Sequence, residues 1–404
     1  MANTFKTLSD GDIVRKALAS FHNKLKFVKT INRQYDNRFA VEGAKNGGTL
    51  LIRNPNEYAV TDGAVMTAQD TAETTQTITL ATQKHVAMNL SSVELTMSVD
   101  DFESRILDPA MSKLAAVVEY TVLSNLYKDV YNYSGTPATT PANLTAVLNG
   151  GVKLSQGLAP ETDRHFLTDS VGMAAIVPSM ATYFHKASEL EKAFSEGYIG
   201  QAAGFKWWES NMIPVHTNGT RDDTTPVMDT STIANGATTI TTTGADGTYK
   251  AGDVLTIAGV YAVNLETKQA YSHLQQFVLT ADNTNDATDV LSISPTIYIS
   301  GARQNVSVVG AGAGKAIVNV AAGGSGAASG AYPMSLAYHR DAFTFVTADL
   351  HKEPNQRMSS ANIEGISMRL WRGADIVNDK FPCRIDVLFG QKTLRAEWAC
   401  RVRG

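Results

Sequence analysis

Apolar positions Ile13, Val14, Ala17, Leu18, Phe21 and Leu25 recur at spacings of three and four, the period of one helical face. Ser9 stands ahead of them with Asp12 three residues on, close to a capping box, so the pattern predicts an amphipathic helix with one stripe to bury. The period then changes. Thr49-Leu50-Leu51-Ile52-Arg53 and Thr75-Gln76-Thr77-Ile78-Thr79-Leu80 are rich in threonine and β-branched residues, and the second alternates with period two. Turn signals at Asn54-Pro55 and Asp62-Gly63 lie between them, which predicts a long two-stranded arm. A lone hairpin is marginal in water, so this one is expected to lie on another surface, such as that of another subunit.

The clearest helical pattern covers 108–132. Asp108 suits an N-cap and Pro109 the first helical position, and Met111, Leu114, Val118, Val122, Leu126 and Val130 follow at three and four. About 24 residues at 1.5 Å each give roughly 36 Å, with Gly135 and Pro137 as the stop. His165-Phe166-Leu167-Thr168 reads as a short strand leading into helical stretches through Phe194. A glycine-rich run then precedes Trp207 and Trp208, which face opposite sides if they lie on a strand and are core or interface anchors.

Residues 217–333 are rich in Thr, Ala, Gly, Asn and Asp. Strands are expected at Ala237–Thr243, Asp253–Ile257, Tyr261–Val263, Gln276–Thr280, Val290–Ser294 and Asn305–Val309, with turns at Gly244, Gly247, Gly252, Gly259 and 283–285. Short strands at this spacing predict a small sandwich or barrel. The run from Gly323 to Gly330 has flexible-linker composition. The flanks read as one interrupted domain, so 217–333 is an insertion. Strands resume at Phe343–Thr347 and after Cys383, where Arg384 and Asp386 alternate with Ile385 and Val387 as on a half-buried strand.

Composition narrows the class. The 404 residues are 43% hydrophobic and 18% charged, with a formal charge of −4. That is too apolar for general disorder and gives no overall pull toward nucleic acid or anionic membrane. The low charge hints at a surface covered by association. Residues 1–39 hold eight basic and three acidic residues, 40–216 eleven and nineteen, and the last 54 residues ten and six. Basic ends around an acidic middle suit head-to-tail packing between copies and equally an ordinary solvated surface. No apolar run is long enough to span a bilayer, and the first residues lack the pattern of a signal peptide. Cys383 and Cys400 fit free thiols.

Candidate chemistry is sparse. Gly310-Ala311-Gly312-Ala313-Gly314-Lys315 lacks the Walker glycine, where Val309 stands, and the hydroxyl, where Ala316 stands, so it reads as a flexible stretch. The eight histidines fall in no metal-ligand spacing, and no GxSxG elbow occurs. Glu189 and Glu191 read as a solvated helix face. The sequence selects no catalytic residue, metal or cofactor.

Several segments, in order, resemble the major capsid (coat) proteins of tailed bacteriophages, in the short-tailed branch that carries an inserted β-barrel domain. Lys24-Leu25-Lys26-Phe27 through Asn32-Arg33-Gln34-Tyr35 resembles the end of the N-terminal arm. Gly48 to Arg53, with Asp100-Asp101-Phe102 and Asp108-Pro109-Ala110, resembles the extended loop leading into the spine helix. Gly197-Tyr198-Ile199-Gly200, Ala203-Gly204-Phe205 and Glu209-Ser210-Asn211 are similar to the A-domain. Cys383-Arg384-Ile385 with Gly390, Arg395 and Glu397 is similar to the closing P-domain strands, and Ala251 to Val260 to the inserted barrel.

The resemblance implies an α+β fold, that of tailed-phage and herpesvirus capsids: arm (1–41), extended β-hairpin loop (42–97), spine helix (98–133), A-domain (134–216 and 334–375), inserted all-β barrel (217–333) and P-domain closing strands (376–404). It also implies a non-enzymatic subunit of a virion. Pentamers and hexamers form an icosahedral shell around a scaffolding protein in the host bacterial cytoplasm, and double-stranded DNA enters through a portal protein and is contacted non-specifically. Arg53, Lys84 and Arg105, flanking the loop, are candidates for pairing with acidic groups on neighbours. Two features depart from the family pattern. The loop Thr241 to Gly247 is short and nearly uncharged, and Arg15 and Lys16 lie where the relative's arm is acidic. The rival readings are a β-rich cell-surface or carbohydrate-binding protein and an enzyme with a lid domain; the first lacks an export signal and the second a site motif.

Overall fold

A computed structural model describes residues 10–33, 49–58, 60, 63–64, 68, 73–91, 106–137, 139–181, 200–220, 226–229, 233–243, 248–284, 288–310, 312–320, 332–353, 356–374 and 380–404. Ser9, Arg105, Glu189, Glu191, Asp100 to Phe102, Gly197 to Ile199 and the run 323–330 lie outside these residues. The chain is α+β and divides into two compact units. One comprises 1–53, 75–122 and 343–392, and the other 54–74, 123–342 and 393–404.

In the first unit the expected arm helix runs Asp10–Lys24 and packs on a hairpin formed by Arg357–Ile363 and Ile366–Arg372. Val14, Ala17, Leu18 and Phe21 are fully buried, so the stripe finds its cover. Each large member contributes about 1.5–3 kcal/mol by leaving water. The predicted hairpin is present as Thr49–Arg53 paired antiparallel with Thr75–Thr79, Leu51 opposite Thr77. A third strand, Thr82–Ser91, was not foreseen; it pairs along Lys380–Thr393, so the chain returns from the arm to the sheet. That long strand is the spine of a five-stranded sheet that also contains Phe343–Ala348 and the 357–372 hairpin.

The helix expected over 108–132 ends earlier. It is α-helical over Asp108–Leu126, followed by a tight 3-10 turn at Tyr127–Asp129 and an extended Val130. Gly135 and Pro137 do not stop it. The Lys128 carbonyl accepts a hydrogen bond from the Arg401 guanidinium (3.3 Å), and the Val130 amide donates back to Tyr127. Tertiary partners there take groups that a helix would use.

The second unit holds a mixed six-stranded sheet in the order Tyr133–Ser134, Ala399–Val402, Ser335–His339, Arg164–Thr168, Phe205–Glu209 and Gln201–Ala202. Helix Leu144–Gln156, which the sequence reading missed, covers it. Asn143 caps this helix by accepting from the Ala146 amide at 3.0 Å. Val147, Leu154, Phe166, Phe205, Trp207 and Val402 form the core. Of the helical stretches expected from Thr168 through Phe194, Ser170–Ala181 is a helix, and 182–194 lie outside the described residues.

A seven-stranded antiparallel sheet lies between 227 and 319. The Asp253–Ile257 and Tyr261–Val263 expectations merge into one strand, Val254–Val263, and Gly259 is a bend inside it rather than a turn between two strands. With φ +74 there, the strand pairs with Ile317–Asn319 before the bend and with Val306–Val308 after it. Met228 donates to the Lys315 carbonyl, Gly314 to Met228 and Ile317 to Pro226, so backbone hydrogen bonds run from the last strand back to the first. Ile240, Leu255, Phe277, Leu291, Ile297 and Ile317 fill the interior. Lys315, read as part of a flexible run, instead donates from Nζ to the Val309 carbonyl.

Asp386 is a further correction. Ile385 and Val387 are buried as expected, but Asp386 on the supposedly solvated face is fully buried too. Arg369 Nη2 (2.8 Å), Arg384 Nε and Gln83 donate to its carboxylate, which makes the burial tolerable.

Candidate assembly site

The hairpin Thr49–Arg53/Thr75–Thr79 has one covered and one open face, as period-two strands require. Ile52 and Ile78 are buried, whereas Leu51 is 65% exposed. Its base rests on the long strand at Gly390, where an added Cβ would stand 2.5 Å from the Thr79 carbonyl. Farther along the chain, Tyr58 and Val60 are also exposed, Val60 almost completely.

Arg53 closes the first strand and is exposed, opposite Thr75. Lys84 sits on strand Thr82–Ser91 opposite Val387, half-buried. Arg105 lies outside the described residues.

Two constellations that the sequence reading missed hold the surroundings in place. In the first unit, Glu119 of the long helix is buried and accepts from the backbone amides of Lys26 (2.7 Å) and Phe27 (3.3 Å), fixing the start of the short helix Phe27–Thr30. The arm then joins the sheet: Phe345 donates to the Asn32 carbonyl at 2.9 Å, and Phe27 packs on Phe343. Arg33 Nη2 and His22 Nε2 both lie 3.0 Å from the same oxygen of Glu364, at the tip of the 357–372 hairpin. The guanidinium beside Glu364, with His22, holds its carboxyl below the usual range.

In the second unit, His216 Nε2 lies 2.9 Å from buried Asp253, and its Nδ1 lies 3.0 Å from the Tyr127 hydroxyl. Asp253 also accepts from the amides of Gly219 and Lys250. Burial pushes His216 down, so the neutral ring donates to Asp253 and accepts from Tyr127. Arg401, fully buried above the Tyr127 ring, donates to the Gly252 carbonyl at 2.6 Å. Gln276 bonds both backbone groups of Tyr133. These contacts tie the seven-stranded sheet to the six-stranded one. Their members are separated by up to 273 residues, so no local spacing could reveal them.

Among the described residues no group of three or more His, Cys, Asp or Glu could hold a metal ion, and no helix is long and apolar enough to cross a membrane.

A family model described as P22 coat protein, gene protein 5, matches residues 1–401. No curated protein matches the chain. Among solved structures, one described as Mycobacterium phage Che8 is similar at a TM-score of 0.46 and 10% identity, covering 93% of this chain and 90% of that one. Another, the asymmetric unit of bacteriophage PhiM1 mature capsid, is similar at 0.43 and 10%, covering 89% and 82%.

Proposed function

The chain belongs to the P22 coat protein family, and on that premise we propose that it builds its shell with a scaffolding protein, as pentamers and hexamers around phage double-stranded DNA. That it is a major capsid protein, a structural subunit of a virion shell, follows from a family match over 1–401, and this single observation carries the reading. The family is one of structural proteins and not of enzymes.

The finer assignment is the fold of tailed-phage and herpesvirus capsids, with 217–333 as an inserted barrel domain in an otherwise interrupted chain. The ring of backbone hydrogen bonds from Met228 round to Ile317, enclosing its own apolar interior, supports the insertion. Expressed alone, 217–333 should give a dispersed NMR spectrum; a collapsed one would refute the boundaries. The exposed Leu51, Tyr58 and Val60 support a hairpin laid across a neighbouring subunit. Arg53 and Lys84, with Arg105, then pair with acidic groups on that neighbour. DNA contact is non-specific, a portal protein admits the DNA, and assembly takes place in the host cytoplasm.

The test is sedimentation of the purified chain with and without the co-expressed scaffolding protein. Shell-sized particles should form efficiently only with the scaffold, and Arg53→Glu should reduce their yield. Equal yield without scaffold would remove that partner, and an unchanged yield for Arg53→Glu would remove that contact.

A further inference from the structure

A cleft of about 60 Å³ opens in the second unit, lined by the last turns of helix Leu144–Gln156, by Tyr131 and Asn132, and by strands Val254–Val263 and Ala270–Leu279. One water needs about 10–15 Å³ of such space, so the cleft can take a four-oxygen ion. Its lining is unusual in what it leaves unpaired. Among the described residues the Lys153 ammonium, the His273 ring nitrogens and the Tyr131 hydroxyl have no hydrogen-bond partner.

Lys153 and His273 are close enough to repel. Burial lowers the pKa of Lys153, with only the Cys400 thiol acting the other way. His273 is lowered by burial and then by Lys153 itself. No carboxylate offsets either group. The acidic member of the lining, Glu397, is raised, chiefly by burial, and its charge adds to the burial that raises the Tyr131 hydroxyl. The Lys153 ammonium has no acceptor within the protein and reaches solvent through the cleft, so an anion entering there would supply one through a charge-assisted bond.

We propose that this cleft binds a tetrahedral oxyanion of the phosphate class, with Lys153 supplying the charge and His273 and Tyr131 donating hydrogen bonds. Binding is read on unassembled protein, so its failure and that of the coat reading are distinguishable.

The test is calorimetric titration of the full-length protein with inorganic phosphate, against chloride at equal ionic strength. One saturable site per chain is expected, weakened at least tenfold in Lys153→Met and largely retained in Lys153→Arg. Thermal melts provide a check on folding. Lys153→Met in chloride should melt no lower than the unsubstituted protein, since it loses an unpaired cation, and phosphate should raise only the latter's midpoint. Binding that does not saturate, or that is equal in Lys153→Met, overturns the proposal. Free phosphate and nucleic-acid backbone share this chemistry. Displacement of bound phosphate by a short DNA duplex assigns the site to backbone phosphate, and no displacement assigns it to the free ion.

Discussion

His165 shows what burial does to one side chain. It stacks on Tyr338, accepts at Nδ1 from the Trp208 indole at 3.0 Å, and is pushed down to about 4 by burial and then by Lys206. The folded protein therefore keeps it neutral where the unfolded chain, near 6.5, takes up a proton. Stability from this group is complete above about pH 6.5 and is lost as pH falls toward 4, by about 3 kcal/mol in all. Urea unfolding at pH 7.5 and 4.5 should show the loss, and His165→Asn, which cannot titrate, should flatten that part of the profile. Glu119 makes a second residue-scale prediction. Glu119→Ala removes two charge-assisted bonds to Lys26 and Phe27 and should cost about 1.5–3 kcal/mol, with faster hydrogen exchange at those amides. Neither role was legible in the sequence: the His165 and Glu119 partners come from distant segments, and their neighbours in sequence give no hint of them.

Elements were legible where one period ran without interruption. The arm stripe from Val14 to Leu25 and the alternation of Thr75 to Thr79 gave the arm helix and hairpin directly. The reading failed where glycine serves packing. Gly150-Gly151 argues against a helix by propensity, yet helix Leu144–Gln156 forms because Gly150 lets it approach strand Ala399–Val402. A Cβ there would stand 2.8 Å from a Val402 methyl. Gly259 likewise reads as a turn and is a bend that gives one strand two partners. Gly390 has the same kind of role under the hairpin. Gly390→Ala sets a Cβ against backbone that cannot yield as a side chain would, so it should cost about 1–3 kcal/mol. It should also lift the hairpin base, lowering both the melting midpoint and the yield of shells. A melting curve unchanged from that of the unsubstituted protein would refute the contact.

At the scale of the molecule, the low charge of 18% and the exposed Leu51, Tyr58 and Val60 are what the proposed covering of the subunit by its neighbours would account for. Composition excluded classes, and the ordered motifs named the family that the match over 1–401 then established. The polar node of Arg401, His216 and Asp253 could not be foreseen, because it exists only once the chain has closed on itself. Electron microscopy of the purified protein, with and without the scaffolding protein proposed above, tests the central claim most directly. The account predicts closed shells built from five- and six-membered rings. Monomers or small irregular oligomers under every condition, with no rings, sheets or shells, would contradict it.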